Sequence, residues 1–246
     1  LKPLTDAQVS ALKPLATTVS VLDLPDHQLT SLQPITAFSN LRLLDLSNNP
    51  LRSPISLKGL TKLKRLSLMS CGLTTTKGIA DLPHLETLNL AENRLTTLDG
   101  LANLPALKVL AAGKNRLTKL EPLPLLPKLE ELHLESNQLE SIAGIERLAE
   151  LRKLNVPHNR LTTLAGIDQL SKLNTIWISR NNISLETLAG VVPLMKKQWT
   201  HYNFRGNPDL AQLNQAHLYK SSTSASTRTG SVGSRYGSSG GYSSGK

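Results

Sequence analysis

The chain has 246 residues, 51 of them Leu, and its Lys and Arg outnumber Asp and Glu to give a formal charge of +10. With 39% hydrophobic residues but only two Phe, two Trp and four Tyr, any core must be aliphatic, and dominance by one residue type implies repetition. No run approaches the roughly 18 consecutive apolar residues of a bilayer span, the stretch LKPLTDAQVSALKPL lacks the apolar centre of a secretory signal, and the single cysteine, Cys71, excludes an intrachain disulfide and any multi-cysteine metal framework. These features predict a soluble, intracellular protein with no transmembrane segment.

Residues 1–18 precede the first repeating unit and are expected to form an N-terminal cap. From residue 19 to residue 207 the phrase LxxLxLxxN recurs, with first positions at 41, 63, 85, 107, 129, 151 and 173, a constant period of 22. A degenerate copy, Val19/Leu22/Leu24/His27, stands upstream. A ninth, Trp199/Tyr202/Phe204/Asn207, follows after a four-residue insertion. The second half of each unit places apolar residues at positions 11, 14, 17 and 20, as in Leu161, Leu164, Ile167 and Leu170. Pro208-Asp209, then Leu210, Leu213 and Leu218, predict a capping helix over 208–220. Residues 221–246 hold ten Ser, six Gly and no acidic residue, and this basic tail is expected to be disordered.

The in-phase LxxLxLxxN copies and the NRLTTLxGLxxLxxL second halves resemble leucine-rich repeats of the short 22-residue class. That class includes the leucine-rich-repeat regulatory subunit of type 1 protein phosphatases and an axonemal dynein light chain. The expected fold is an α/β solenoid, a horseshoe with a concave parallel β-sheet and short helical or 3-10 turns on its convex side. Physics leads to the same shape: positions 4 and 6 share one face of a strand and enter the core, while 3, 5 and 7 project from the other. Nine strands stacked at about 4.8 Å span roughly 40 Å. The position-9 side chains, Asn49, Cys71, Asn93, Asn115, Asn137, Asn159, Asn181 and Asn207, form a structural ladder that satisfies backbone groups leaving the strands. Cys71 is read there as a buried structural thiol and His27 as a ladder substitute, while Trp199, Tyr202 and Phe204 seal the last unit.

No phosphate-binding Gly loop, GxSxG, HExxH or CxxC occurs, so no enzyme activity, catalytic residue, cofactor or metal site is expected. His133 and His158 lie on adjacent strands but about 10 Å apart along them, too far to converge on one ion. The candidate surface is the concave face. Its outward columns read Asp23, Asp45, Ser67, Asn89, Ala111, His133, Asn155, Trp177, Asn203 at position 5 and Val21, Leu43, Arg65, Thr87, Val109, Glu131, Lys153, Thr175, His201 at position 3. Trp177, outward and without a core role, reads as a contact anchor, the other reading being packing against His201 or Arg180. Around it stand Glu131, His133, Glu135, Lys153, His158, Arg180, His201 and Arg205, with Asp23, Asp45 and Arg65 further along, as a partner-binding set of mixed sign.

The leading expectation is a non-enzymatic scaffold, monomeric by itself, that binds one folded partner on this face. The resemblance implies a type 1 phosphatase catalytic subunit as partner, contacted through Asp23, Asp45, Glu131, Glu135 and Trp177. Its other branch implies a cytoskeletal or ciliary adaptor, associated with dynein or microtubules; a ribonucleoprotein subunit is a further alternative. The tail residues Arg228, Arg235 and Lys246 leave +7 on the first 220 residues, with neither an RNP-like motif nor an aromatic stacking column. The tail is therefore expected to supply at most a weak electrostatic contact to RNA or tubulin, or to be a solvated chain.

Overall fold

The computed structural model describes residues 3–51, 55–208 and 219–220, the last pair and 195–197 by backbone only. Every unit contributes a three-residue strand at its positions 3 to 5: β1 (Val21–Asp23), β2 (Leu43–Asp45), β3 (Arg65–Ser67), β4 (Thr87–Asn89), β5 (Val109–Ala111), β6 (Glu131–His133), β7 (Lys153–Asn155), β8 (Thr175–Trp177) and β9 (His201–Asn203). All nine pair in parallel and in sequence order, and the register is set by the repeat, Leu44 opposite Leu66, Leu66 opposite Leu88, and so on. Identical spacing forces this: a slip of one residue would turn the whole leucine row out of the core. The chain thus forms a parallel solenoid with few helices.

The core is one continuous aliphatic column. Positions 1, 4 and 6 supply Leu41, Leu44, Leu46 and their equivalents, and the second halves add rows such as Leu161, Leu164, Ile167 and Leu170. The convex side is mostly extended turns. It tightens into 3-10 turns at Ile145–Arg147 and Ile167–Gln169, each preceded by a glycine in left-handed conformation, Gly144 and Gly166.

At the N-terminus, α1 (Asp6–Ser10) opens with a capping box in which the Thr5 N–H donates to Gln8 Oε1 at 2.9 Å. It buries Val9 under the first unit, while Thr30 donates to the Asp6 carboxylate. At the other end the four extra residues are absorbed by α2 (Leu185–Lys197), an α-helix where other units have turns, N-capped by the Ser184 hydroxyl accepting from the Thr187 N–H. The repeat phrase alone carries no sign of this helix. Trp199 and Phe204 stack at 6.1 Å between ring centroids, and Tyr202 meets Phe204 edge-on, closing the core in aromatic side chains.

The helix expected over 208–220 does not run to its end. Tyr219 and Lys220 form β10, antiparallel to β9, with Tyr219 opposite Asn203 and Lys220 opposite Tyr202. An open last strand leaves a row of backbone groups unpaired, and β10 covers part of it. Residues 209–218 and the tail 221–246 lie outside the described residues.

Candidate functional site: the concave sheet face

The concave face is held flat by two rows of backbone chemistry. In the ladder, Asn137 donates its amide to the carbonyls of Ala112 (2.9 Å) and Leu134 (3.0 Å) and accepts from the Leu117 N–H at 3.0 Å. Asn49, Asn93, Asn115, Asn159, Asn181 and Asn207 repeat the pattern, each bridging consecutive turns. Cys71 keeps only part of it: its thiol donates to the Leu46 carbonyl at 3.1 Å. His27 bonds the Pro25 carbonyl through Nδ1.

The second row is position 8, where Asp26, Asn48, Ser70, Glu92, Lys114, Ser136, His158 and Arg180 all sit at φ between 53° and 59°. None is a glycine, and left-handed backbone costs such residues roughly 1–2 kcal/mol each. Each backbone N–H is repaid with a partner on the next turn, as His158 N–H to Ser179 O (3.0 Å) and Arg180 N–H to Arg205 O (2.9 Å). Strands therefore end at one level, and the position-8 side chains line the rim. Ordinary residues occupy this row, so composition offers no clue to it; its signal is the constant place before the ladder residue.

The position-5 column is mostly not open to solvent, contrary to the expectation of an outward row. Asp45, Ser67, Asn89, Ala111, His133 and Asn155 are all buried, His133 to 1% exposure. At strand spacing these side chains stand against one another, and Glu131 and Glu135 reach onto His133 and Asn155. Several also bind their own turn: Asp45 accepts from the Ser47 N–H (2.8 Å) and hydroxyl (2.6 Å), Asn89 from the Ala91 N–H, and Asn203 from the Arg205 N–H. Asn155 cannot do the same because the residue two places on is Pro157, which has no N–H. Its Oδ1 is buried without a partner, while its amide turns to Glu135 Oε2 at 3.2 Å.

Four of the anticipated residues meet across β6–β8. Glu131 Oε2 receives His133 Nε2 at 3.1 Å and Lys153 Nζ at 3.4 Å, and Lys153 Nζ lies 5.4 Å from the Trp177 ring centroid. A carboxylate only accepts, so His133 carries its proton on Nε2, and its buried Nδ1 is left without a partner. The His133 hydrogen bond, opposed by burial and aided by Lys153, pulls the Glu131 carboxyl down to about 2. Glu135 reaches back over Gly113: a Cβ there would lie 2.5 Å from its carboxylate, so the glycine makes the space.

Trp177 is 37% exposed, and the Lys153 ammonium lies over its ring. His158 and Arg180 project from the rim beside it, exposed, with no carboxylate of a described residue at ion-pair distance. Half-buried His201 bonds Thr200 Oγ1, and Arg205 is exposed. Asp23 and Arg65 are exposed on β1 and β3, away from this group, and Asp45 is committed to its turn.

Burial pushes the Cys71 thiol up to about 12, which removes the thiolate a nucleophile requires. Among the described residues no group of three or more His, Cys, Asp or Glu could hold a metal ion, and no helix is long and apolar enough to cross a membrane.

Comparison with known proteins agrees with this architecture. The family described as leucine-rich repeats in two copies matches residues 61–103 and 105–147, and a single leucine-rich repeat matches 40–60. Among solved structures, the chain is 25% identical to internalin C2 from Listeria monocytogenes, with a TM-score of 0.55 over 77% of this chain and 73% of that one. It is 26% identical to a chain of the LRIM1/APL1C complex, with a TM-score of 0.60 over 68% of this chain and 31% of that one. No curated protein sequence matches. With the ladder, the parallel sheet and the matched units in agreement, residues 40–60, 61–103 and 105–147 are similar to leucine-rich repeats, and the chain has the solenoid fold such repeats build.

Proposed function

We propose that this chain is a non-enzymatic protein-binding scaffold that holds one folded partner against its concave sheet, with Trp177 at the centre of contact. The observation that carries the reading is an aromatic ring left exposed on β8 beside a run of position-5 side chains, Asp45 to Asn155, that are all buried. Trp is strongly enriched at binding hot spots, and solenoids present such faces for contact. The similar chain in the LRIM1/APL1C structure belongs to a complex, which supports an assembly role.

The partner proposed from the repeat class is the catalytic subunit of a type 1 phosphatase. The alternative is a cytoskeletal or ciliary adaptor, favoured by the cations Lys153, Arg180 and Arg205 around Trp177 and by the basic tail, which suit an acidic surface. A ribonucleoprotein subunit is the third reading. Of the acidic residues the phosphatase reading calls on, Asp45 is tied to Ser47, Glu131 to His133 and Lys153, and Glu135 to Asn155, so Asp23 alone stands without such a tie. An intracellular location and a monomeric free state belong to the same proposal.

The test is affinity capture by the intact chain from a native extract, repeated with Trp177→Ala. A partner retained by the wild type should lose more than about 1 kcal/mol of affinity with the variant, while the melting temperature stays nearly unchanged. Undiminished affinity would remove the concave face from the contact. Recovery of phosphatase, of tubulin or dynein, or of nuclease-sensitive complexes separates the three partners.

A further inference from the structure

The concave sheet is electrically polar along the solenoid. On β1 and β2 the side chains of columns 3, 5, 7 and 8 are Val21, Asp23, Pro25, Asp26, Leu43, Asp45, Ser47 and Asn48, with three carboxylates and no cation. On β7 to β9 the same columns carry Lys153, His158, Arg180, His201 and Arg205 with no carboxylate at all, and Trp177 stands among them. Glu131 and Glu135 mark the boundary on β6.

Resting on the scaffold reading, we propose that the β7–β9 end of this face docks an acidic segment of a protein partner, which places an apolar side chain on Trp177 and carboxylates toward Lys153, Arg180 and Arg205. Charge complementarity selects the occupant: these columns carry Lys153, Arg180 and Arg205 and no carboxylate on β7 to β9, so the face attracts an acidic segment and repels a basic one. A peptide is favoured over a nucleic acid because Glu131 and Glu135 close the patch on β6. Discrete carboxylates can avoid them, whereas a continuous phosphate chain crossing the face meets their repulsion, and among the described side chains Trp177 is the one exposed Trp, Tyr or Phe ring, with no second such platform for base stacking. The polarity also orients the partner, acidic end over β7–β9 and away from Asp23 and Asp26.

Trp177 is a built-in reporter, since the second tryptophan, Trp199, is buried at 2% exposure. The intact chain is titrated with a short Glu/Leu peptide, its Gln/Leu counterpart and an oligouridylate, following tryptophan emission. The Glu/Leu peptide should quench saturably and the Gln/Leu peptide should not. Arg180→Gln and Lys153→Gln should each weaken the response about two- to fivefold, and a variant with Arg228, Arg235 and Lys246 replaced by Gln should retain it. Equal quenching by the Gln/Leu peptide, indifference to Arg180→Gln and Lys153→Gln, or tighter binding of the oligouridylate overturns the proposal. A captured partner that is sensitive to Trp177→Ala but indifferent to the two cation variants would leave the scaffold reading standing and remove this inference alone; indifference to all three removes both.

Discussion

Cys71 shows how much one side chain does in this fold. In the neighbouring turns the position-11 N–H donates to the next ladder amide oxygen, as Leu29 to Asn49 and Leu73 to Asn93. Cysteine has no such oxygen, and the Leu51 N–H turns instead to the Asn49 carbonyl at 2.8 Å. Replacing Cys71 with Asn should restore the acceptor and two amide donors, raising stability by about 1 kcal/mol in thermal melts; a fall would mean that the neighbours have repacked around sulfur. At Glu131 the expected signature is a pH dependence. Its carboxyl titrates lower in the fold than in the unfolded chain, so its stabilising contribution is complete above about pH 4.5 and is lost as the pH falls toward about 2. Denaturation midpoints across that interval should flatten in Glu131→Gln, and an unchanged acid limb would mean that the His133 contact does not form in solution.

At the scale of the element, the strands are short because each is closed by the left-handed residue at position 8 and the ladder residue behind it. The return path has its own fixed points. Gly78 has φ of 92°, and a Cβ there would lie 1.7 Å from the Ile55 carbonyl oxygen, so neither the conformation nor the space admits a side chain. Gly78→Ala should lower the melting temperature by several degrees, through strain together with displacement of the preceding turn, by an amount well above the typical surface substitution. A neutral result would show that the two turns move apart at little cost. The last unit departs from the others in a way the repeat phrase does not announce, because α2 satisfies its own backbone and lets the four additional residues be absorbed without disturbing the register of β8 and β9.

For the whole molecule, the controlling fact is that each turn packs only against its neighbours. Leu132 is fully buried at the middle of the column, in register with Leu110 and Leu154. Leu132→Ala should cost about 2–5 kcal/mol in denaturant melts, because the rigid stack on either side cannot collapse into the space left behind. A cost near zero would contradict the register. The same stacking gives the concave face its electrical polarity: a residue's place along the solenoid follows from its repeat number, so acidic early units and basic late units become opposite ends of one surface.

The period of 22 determined the parallel order of the strands, the leucine column and the ladder, because a repeat that cannot bury its apolar face alone has one way to do so, by stacking in phase. Tertiary packing decided what the period could not. His133 and Asp45 occupy outward positions yet are buried, His133 bonded to Glu131 and Asp45 to Ser47 of its own turn. Trp177 stays exposed beneath Lys153 and Glu135 finds room over Gly113, each through a neighbour 24 or 22 residues away in sequence and one strand away in space, while Pro157, two residues on, leaves Asn155 without its donor. Which residues form a surface is legible in the spacing; which of them a partner can reach is set by contacts between turns.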